Sequence, residues 1–276
     1  MTIREKLKQY QRDKKAILAT NFYNLETLQS IVKSASKMQV PVILQLTKSS
    51  IDYIGLKEAV VMARQALADY QLEGWLHLDH GGSVDLVQRC LDAGFESVMI
   101  DASEKSFDEN IRITSEVVKR AASYQANVEA ELGFIAKLGQ EQSGGFTTSD
   151  EATRFVEATG IDALAIAIGS AHGFYKSAPK LNIERLKEIH SSVDTILVLH
   201  GSSGIPNEMV QDAIRNGITK VNLATEIKDT FMRALKDVLL ATDEIDLRKV
   251  FPKAIDAVVD LLCVKYKMVE NTTPIL

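Results

Sequence analysis

Eight short apolar runs recur along this chain, each followed by a segment of helical period, and no other feature restricts the fold as much. The runs occupy 16–22, 41–47, 74–80, 97–103, 127–133, 163–170, 196–201 and 220–225, and they start 23 to 36 residues apart. Several are almost continuously apolar, as in Val42-Ile43-Leu44 and Val98-Met99-Ile100. That is the pattern of parallel strands buried on both faces. Between them, 25–37, 84–93 and 110–122 place apolar residues at helical spacing, for instance at 25, 28, 31, 32 and 35. Eight strand–helix units in about 250 residues predict an α/β fold of the (β/α)8 TIM barrel type. An open doubly wound sheet is the competing architecture, but it uses fewer strands and a glycine-rich first turn, and no G-x-G-x-x-G follows the first run. Residues 228–267 read as two or three extra C-terminal helices covering the barrel. No linker or low-complexity tract interrupts the pattern, so 1–276 reads as one domain.

Composition agrees with that reading and removes several classes of function. With 46% hydrophobic residues among 276, the chain can bury roughly three quarters of its unfolded surface and needs no disulfide or structural metal. Its two cysteines, Cys90 and Cys263, lie in amphipathic runs and read as reduced thiols packed as small hydrophobes. A net charge of -5 disfavours nucleic-acid and anionic-membrane partners. The N-terminus is charged and no run approaches the ~18 apolar residues of a membrane helix, so a cytoplasmic protein is expected.

Barrel enzymes build their sites at the C-terminal ends of the strands. Those ends carry Asn21, Thr47, Asp79, His80, Asp101, Glu131, His172, His200, Asn222 and Thr225. Three of the five histidines, His80, His172 and His200, thus end the third, sixth and seventh units or lie just beyond. Converging neutral imidazoles suit a catalytic zinc ion with an open coordination position; the alternative is three hydrogen-bonded structural histidines. His77 and His190 receive no role. Gly-169 to Gly-173, Gly-201 to Gly-204 and Asn-222 to Thr-225 gather backbone amides and hydroxyls after the last strands, the usual phosphate position of this fold, with Lys176 as an added charge. Segment 134–149, rich in Gly, Gln, Ser and Thr, is a long loop after the fifth strand, where functional loops are found.

Five motifs, in order, are similar to those of one family: His77-Leu78-Asp79-His80-Gly81; Ser97-Val98-Met99-Ile100-Asp101-Ala102-Ser103; Val128-Glu129-Ala130-Glu131-Leu132-Gly133; Ala167-Ile168-Gly169-Ser170-Ala171-His172-Gly173; and Val198-Leu199-His200-Gly201-Ser202-Ser203-Gly204. The chain resembles the class II, zinc-dependent ketose-bisphosphate aldolases, the fructose- and tagatose-bisphosphate enzymes, over about residues 3–270. The resemblance implies one catalytic Zn2+ per chain on His80, His172 and His200, together with a monovalent cation. It makes Asp79 the group that exchanges a proton with the aldehyde oxygen, and sets Glu131 and Asp101 near the metal, where they serve an alternate metal position. Gly173, Lys176, Gly201, Ser203, Asn222 and Thr225 match the cradle of the ketose C1 phosphate, and Asn24 and Thr47 match polar positions lining the cleft. The implied partner is a phosphorylated ketose, and the implied assembly a homodimer or homotetramer.

Two departures bear on substrate. The loop reads Glu131-Leu132-Gly133-Phe134-Ile135-Ala136-Lys137-Leu138-Gly139-Gln140-Glu141-Gln142, two residues longer than the family pattern and one glycine short; Glu141 is the match for its base. Ala224 stands where many fructose-bisphosphate members carry Asp or Asn, which brings the chain closer to the tagatose type. A ketose phosphate with another anionic tail, such as a sulfonate, is the alternative substrate. A non-catalytic partner subunit and a sugar-phosphate isomerase or epimerase are the alternatives to an aldolase.

Overall fold

In the computed structural model, which describes residues 1–133, 135, 145–175 and 179–271, eight strands close into one parallel barrel. The chain runs α1 (Ile3–Arg12), β1 (Ile17–Asn21), α2 (Leu25–Met38), β2 (Val42–Leu46), α3 (Lys48–Ile54), α4 (Leu56–Asp69), β3 (Gly74–Gly81), α5 (Val84–Asp92), β4 (Ser97–Ile100), α6 (Phe107–Ala122) and β5 (Asn127–Leu132). It continues through α7 (Ser149–Thr159), β6 (Ala163–Ile166), α8 (Ile183–Ser192), β7 (Ile196–Leu199), α9 (Asn207–Arg215), β8 (Ile218–Leu223), α10 (Thr225–Ala241) and α11 (Leu247–Glu270). Each strand pairs with its neighbour in sequence, and β1 closes on β8 with Ala19 opposite Asn222. The two helices α10 and α11 answer to the extra C-terminal helices expected from the sequence.

Alternation along the strands separates two apolar layers. Leu44, Leu76, Val98, Leu164 and Leu199 point outward and pack with Leu28, Ile31, Val87, Phe155 and Leu186 of the helices. Ile17, Ala19, Ile43, Trp75, Ala163, Ala165, Ile196 and Val198 point inward and form a second cluster with Ile3, Leu7 and Tyr10 of α1. So α1 closes the N-terminal end of the barrel. Thr2 starts it with a capping box to Glu5, and its cations reach the acidic residues just before three strands: Arg4 to Asp162 at 2.7 Å, Lys6 to Glu73 at 2.8 Å and Lys8 to Asp194 at 2.9 Å. Burial of each apolar side chain contributes roughly 1.5–3 kcal/mol, whereas each half-exposed ion pair adds about 1 or less.

Several boundaries differ from the sequence reading, among them the end of β4, at Ile100 rather than 103. A helix ahead of the first strand was not expected, because 3–12 lies outside the repeating unit. Strand β8 starts at Ile218 rather than at 220, and β6 stops at Ile166 rather than reaching 170. Gly169 adopts φ 110° and its backbone lies so close to Lys180 that a Cβ would be 2.4 Å from the carbonyl oxygen, so the chain leaves the sheet there. His172 consequently sits in the loop after β6. Among the described residues no helix is long and apolar enough to cross a membrane.

Candidate metal centre and phosphate loops

Reading up the inside of the barrel, the last inward residue of several strands is polar: Asn21 on β1, Asp79 on β3, Glu131 on β5 and Asn222 on β8, with His200 just past β7. His80 follows Asp79 directly, and in a regular strand the two would face opposite sides. Here the register of β3 against β4 shifts between Leu78 and Gly81, and His80 takes a left-handed φ of 50°. That bulge turns both side chains to the barrel mouth.

The three histidines come together as the sequence implied. Ring centroids of His80 lie 4.9 Å from His172 and 4.8 Å from His200, and His172 and His200 are 6.0 Å apart. One ligating nitrogen from each falls within 4.8 Å of the others, and His80, Asp101 and Glu131 form a second such group. Two of the three imidazoles are held by carboxylates: His80 Nδ1 meets Asp101 Oδ2 at 2.8 Å, and His200 Nε2 meets Glu129 Oε1 at 2.9 Å. His200 Nδ1 meets Glu131 Oε2 at 3.0 Å. A ring of imidazoles, each backed by a carboxylate or close to one, is the donor set of a zinc-type ion, and these residues can hold a metal.

Electrostatics set the three imidazoles apart: in the metal-free protein the charged forms of His80 and His200 are favoured, so a metal would have to displace their protons. Burial disfavours a charged His200, but its hydrogen bonds to Glu129 and Glu131 prevail and push its pKa up to about 9. Burial and the neighbouring His80 and His200 hold His172 down at about 3, so it offers a lone pair at neutral pH. Asp79 is buried, which alone would favour the acid form, yet His80, His200 and Lys220 hold it ionised. Its two oxygens are fixed by amide donors, Asn21 Nδ2 at 2.7 Å and Asn222 Nδ2 at 3.3 Å.

Beside the histidines lies a cavity lined by Gly173, Gly201, Ser202, Ser203, Ala224 and Thr225, along with Asn21, Asp79 and Asn222. Gly201 has φ 65°, and a Cβ there would stand 2.3 Å from the Ala171 carbonyl oxygen, so only glycine lets the two loops approach. Tyr175 pins them: its hydroxyl donates to the Gly201 carbonyl and accepts from the Ala171 amide, both at 2.8 Å. Helix α10 begins at this cavity with no cap from the side chain of Ala224, and its Glu226 amide donates to Ser203 Oγ at 3.3 Å. A second cavity shares His80 and His172 and is lined by Gly82, Asp101, Ala102, Glu104 and Lys105.

Two expected cleft residues cap helices. Asn24 caps α2, its Oδ1 accepting from the Thr27 amide at 3.0 Å, and Thr47 caps α3 through the Ser50 amide at 3.3 Å. Neither is among the residues lining the cavity beside the histidines, whereas Asn21 is. Lys176 and Glu141 lie outside the described residues. Of the cations after β8, Arg233 pairs with Asp229 at 2.7 Å and Lys228 lies over the Tyr23 ring. Sequence reasoning passed over Glu129, Lys220 and Tyr175. The first two had a signal, since each is a charge inside an apolar strand two residues before a site residue.

The sequence model for class-II fructose-bisphosphate aldolases matches residues 1–273. The YdjI aldolase of Escherichia coli K12 is 32% identical, with a TM-score of 0.88 over 97% of this chain and 96% of that one. A putative fructose-1,6-biphosphate aldolase from Coccidioides immitis is 29% identical, TM-score 0.89, over 98% and 96%. Fructose-bisphosphate aldolase of Campylobacter jejuni, 19% identical, shares the fold with a TM-score of 0.84 over 97% of this chain and 93% of that one.

Proposed function

We propose that this chain, which belongs to the class-II fructose-bisphosphate aldolase family, is a zinc-dependent enzyme that reversibly cleaves a phosphorylated ketose, of the tagatose- or fructose-1,6-bisphosphate type, to glycerone phosphate and an aldehyde. Aldolase chemistry itself follows from the family. What carries the zinc reading is the convergence of His80, His172 and His200 next to ionised Asp79, at the edge of a glycine- and serine-lined cavity.

Zinc held by these three imidazoles supplies, when bound, an electrophile for the negative charge that develops on the ketone oxygen. The residues of the chain do the rest. Gly173, Gly201, Ser203, Asn222 and Thr225 receive the C1 phosphate, which anchors the reacting carbons. Asp79, a carboxylate held by Asn21 and Asn222, takes the C4 hydroxyl proton as the C3–C4 bond breaks and the electron pair stays on C3. In the reverse direction it returns that proton to the aldehyde oxygen. Glu141 is the base for the proton at C3. The aldehyde end extends into the second cavity, where Lys105 is the cation suited to a distal anion.

The test is a coupled assay for glycerone phosphate release with tagatose and fructose bisphosphates, with and without a chelator. Release that chelation abolishes and zinc restores supports the reading and ranks the sugars. Bound zinc without triose from either sugar moves the substrate to another ketose phosphate, such as one with a sulfonate tail. Neither zinc nor product overturns the catalytic reading.

A further inference from the structure

One layer below the candidate metal ligands, a lysine and a glutamate face each other inside the barrel. Lys220 on β8 and Glu129 on β5 have side chains 1% and 0% exposed, and Nζ lies 2.9 Å from Oε2 and 3.3 Å from Oε1. Burying such a pair forfeits the hydration of both ions, and apolar residues of similar volume are often as stable or more so. Fold stability is therefore a poor reason for the pair to be here. Its contacts supply a better one.

Glu129 Oε1 is 2.9 Å from His200 Nε2. A carboxylate kept ionised by an ammonium only accepts, so Nε2 carries a hydrogen; Nδ1, 3.0 Å from Glu131 Oε2, faces the metal-ligating group and is the nitrogen that would exchange its proton for a metal. In the other direction, Lys220 Nζ donates to Asn222 Oδ1 at 2.7 Å. The two ends of an asparagine amide are alike in shape, and only the hydrogen-bond network decides which way it points. An ammonium has no lone pair, so it fixes the oxygen toward itself and leaves Nδ2 to donate to Asp79 Oδ1 at 3.3 Å. On the other side, Gln45 Nε2 donates to Asn21 Oδ1 at 3.1 Å and Asn21 Nδ2 meets Asp79 Oδ2.

Resting on the metal-aldolase reading above, we propose that Lys220 is a positioning residue: through Glu129 it sets which nitrogen of His200 binds the ion, and through Asn222 it orients the donor that holds Asp79. One buried ammonium thus aligns the metal ligand and the proton carrier together, although it touches neither the substrate nor the ion.

Lys220→Met alone would leave Glu129 buried without its ammonium partner, so the informative variant is K220M/E129Q, which removes both charges. The amide that replaces the carboxylate presents either a donor or an acceptor to His200, and Asn222 is free to turn. In the full-length chain the zinc dissociation constant, read by competition with a chromophoric chelator, is expected to rise ~10–100-fold. The drop in kcat is expected to be about tenfold or more with KM little changed, while the melting of the zinc-free protein moves by only a few degrees. In the zinc-loaded wild type, ring 15N spectra should show His200 protonated at Nε2 and metallated at Nδ1. A proton on Nδ1 overturns the inference without any variant. A double variant that binds zinc and turns over within about twofold of a competent wild type overturns the positioning role alone. Wild-type protein that neither binds zinc nor releases triose overturns the underlying reading and this inference with it.

Discussion

The two ends of the barrel are made by the same strands and have opposite chemistry. Trp75 and Asp79 lie on one face of β3, and Ile17 and Asn21 on one face of β1, in each case four residues or roughly 13 Å apart. At the lower end Ile17, Ile43, Trp75 and Ile196 meet Ile3 and Leu7, and the space is filled. At the upper end the same inward direction presents amides, carboxylates and imidazoles around open cavities. One interior thus divides its duties by height, with cohesion below and chemistry above. Between them lies the Glu129–Lys220 layer, neither apolar nor open.

The sharpest way to break this contrast is to exchange the consequences of a substitution at each end. His172→Ala removes an imidazole from the upper end, and triose release in a coupled assay should fall by a thousandfold or more while urea denaturation of the zinc-free protein is little changed. Trp75→Ala should do the reverse. It empties a large volume against α1 and is expected to lower unfolding free energy by ~3–5 kcal/mol, with kcat per folded molecule within about twofold. Equal loss of kcat in both variants would mean that the ends are not separable.

A pH comparison sharpens the same point. In zinc-free protein, protonated His200 is held by two glutamates with its pKa raised from 6.5 to about 9. Its contribution to stability is complete below the unfolded value and is lost as pH rises from about 6.5 to 9, at most roughly 3 kcal/mol. His80, also raised, acts in the same direction. Chelated protein should therefore melt several degrees lower at pH 9 than at pH 6.5. Zinc takes the place of that proton, so loaded protein should show little of the loss. The smallest effect is at the lower rim, where Thr2→Ala removes the capping box of α1 and should cost about 1 kcal/mol in the same denaturation experiment, with no change in KM.

Sequence made the upper end far more legible than the lower. Eight apolar runs at regular spacing predict the closed barrel, and the strand-end rule then selects Asp79, His80, Asp101, Glu131 and His200 before any coordinate is known. The closing helix α1 escaped because a single amphipathic pattern of about two turns, Ile3, Leu7 and Tyr10, has no partner visible in the linear chain. Asn24 and Thr47 show an ambiguity that sequence leaves open. A polar residue before a helix fits both a ligand position and an N-cap, and only geometry showed their side chains bonded to the Thr27 and Ser50 amides. Glu129 and Lys220 were invisible as a pair because 91 residues separate them and closure of the sheet brings them together.

The bulge at the end of β3 restricts how such a catalyst can diversify. Asp79 and His80 are joined by one peptide bond, with Gly81 behind them so tightly placed that a Cβ would come within 2.4 Å of the Met99 carbonyl oxygen. On the function proposed above, proton carrier and metal ligand are therefore inherited as one rigid block, and the distance between them cannot be adjusted without rebuilding the strand. New specificities have to arise at the rim instead, in the segments holding Glu104, Lys105 and Ala224, where a change of side chain alters what is bound and leaves the spacing of the reacting groups as it was.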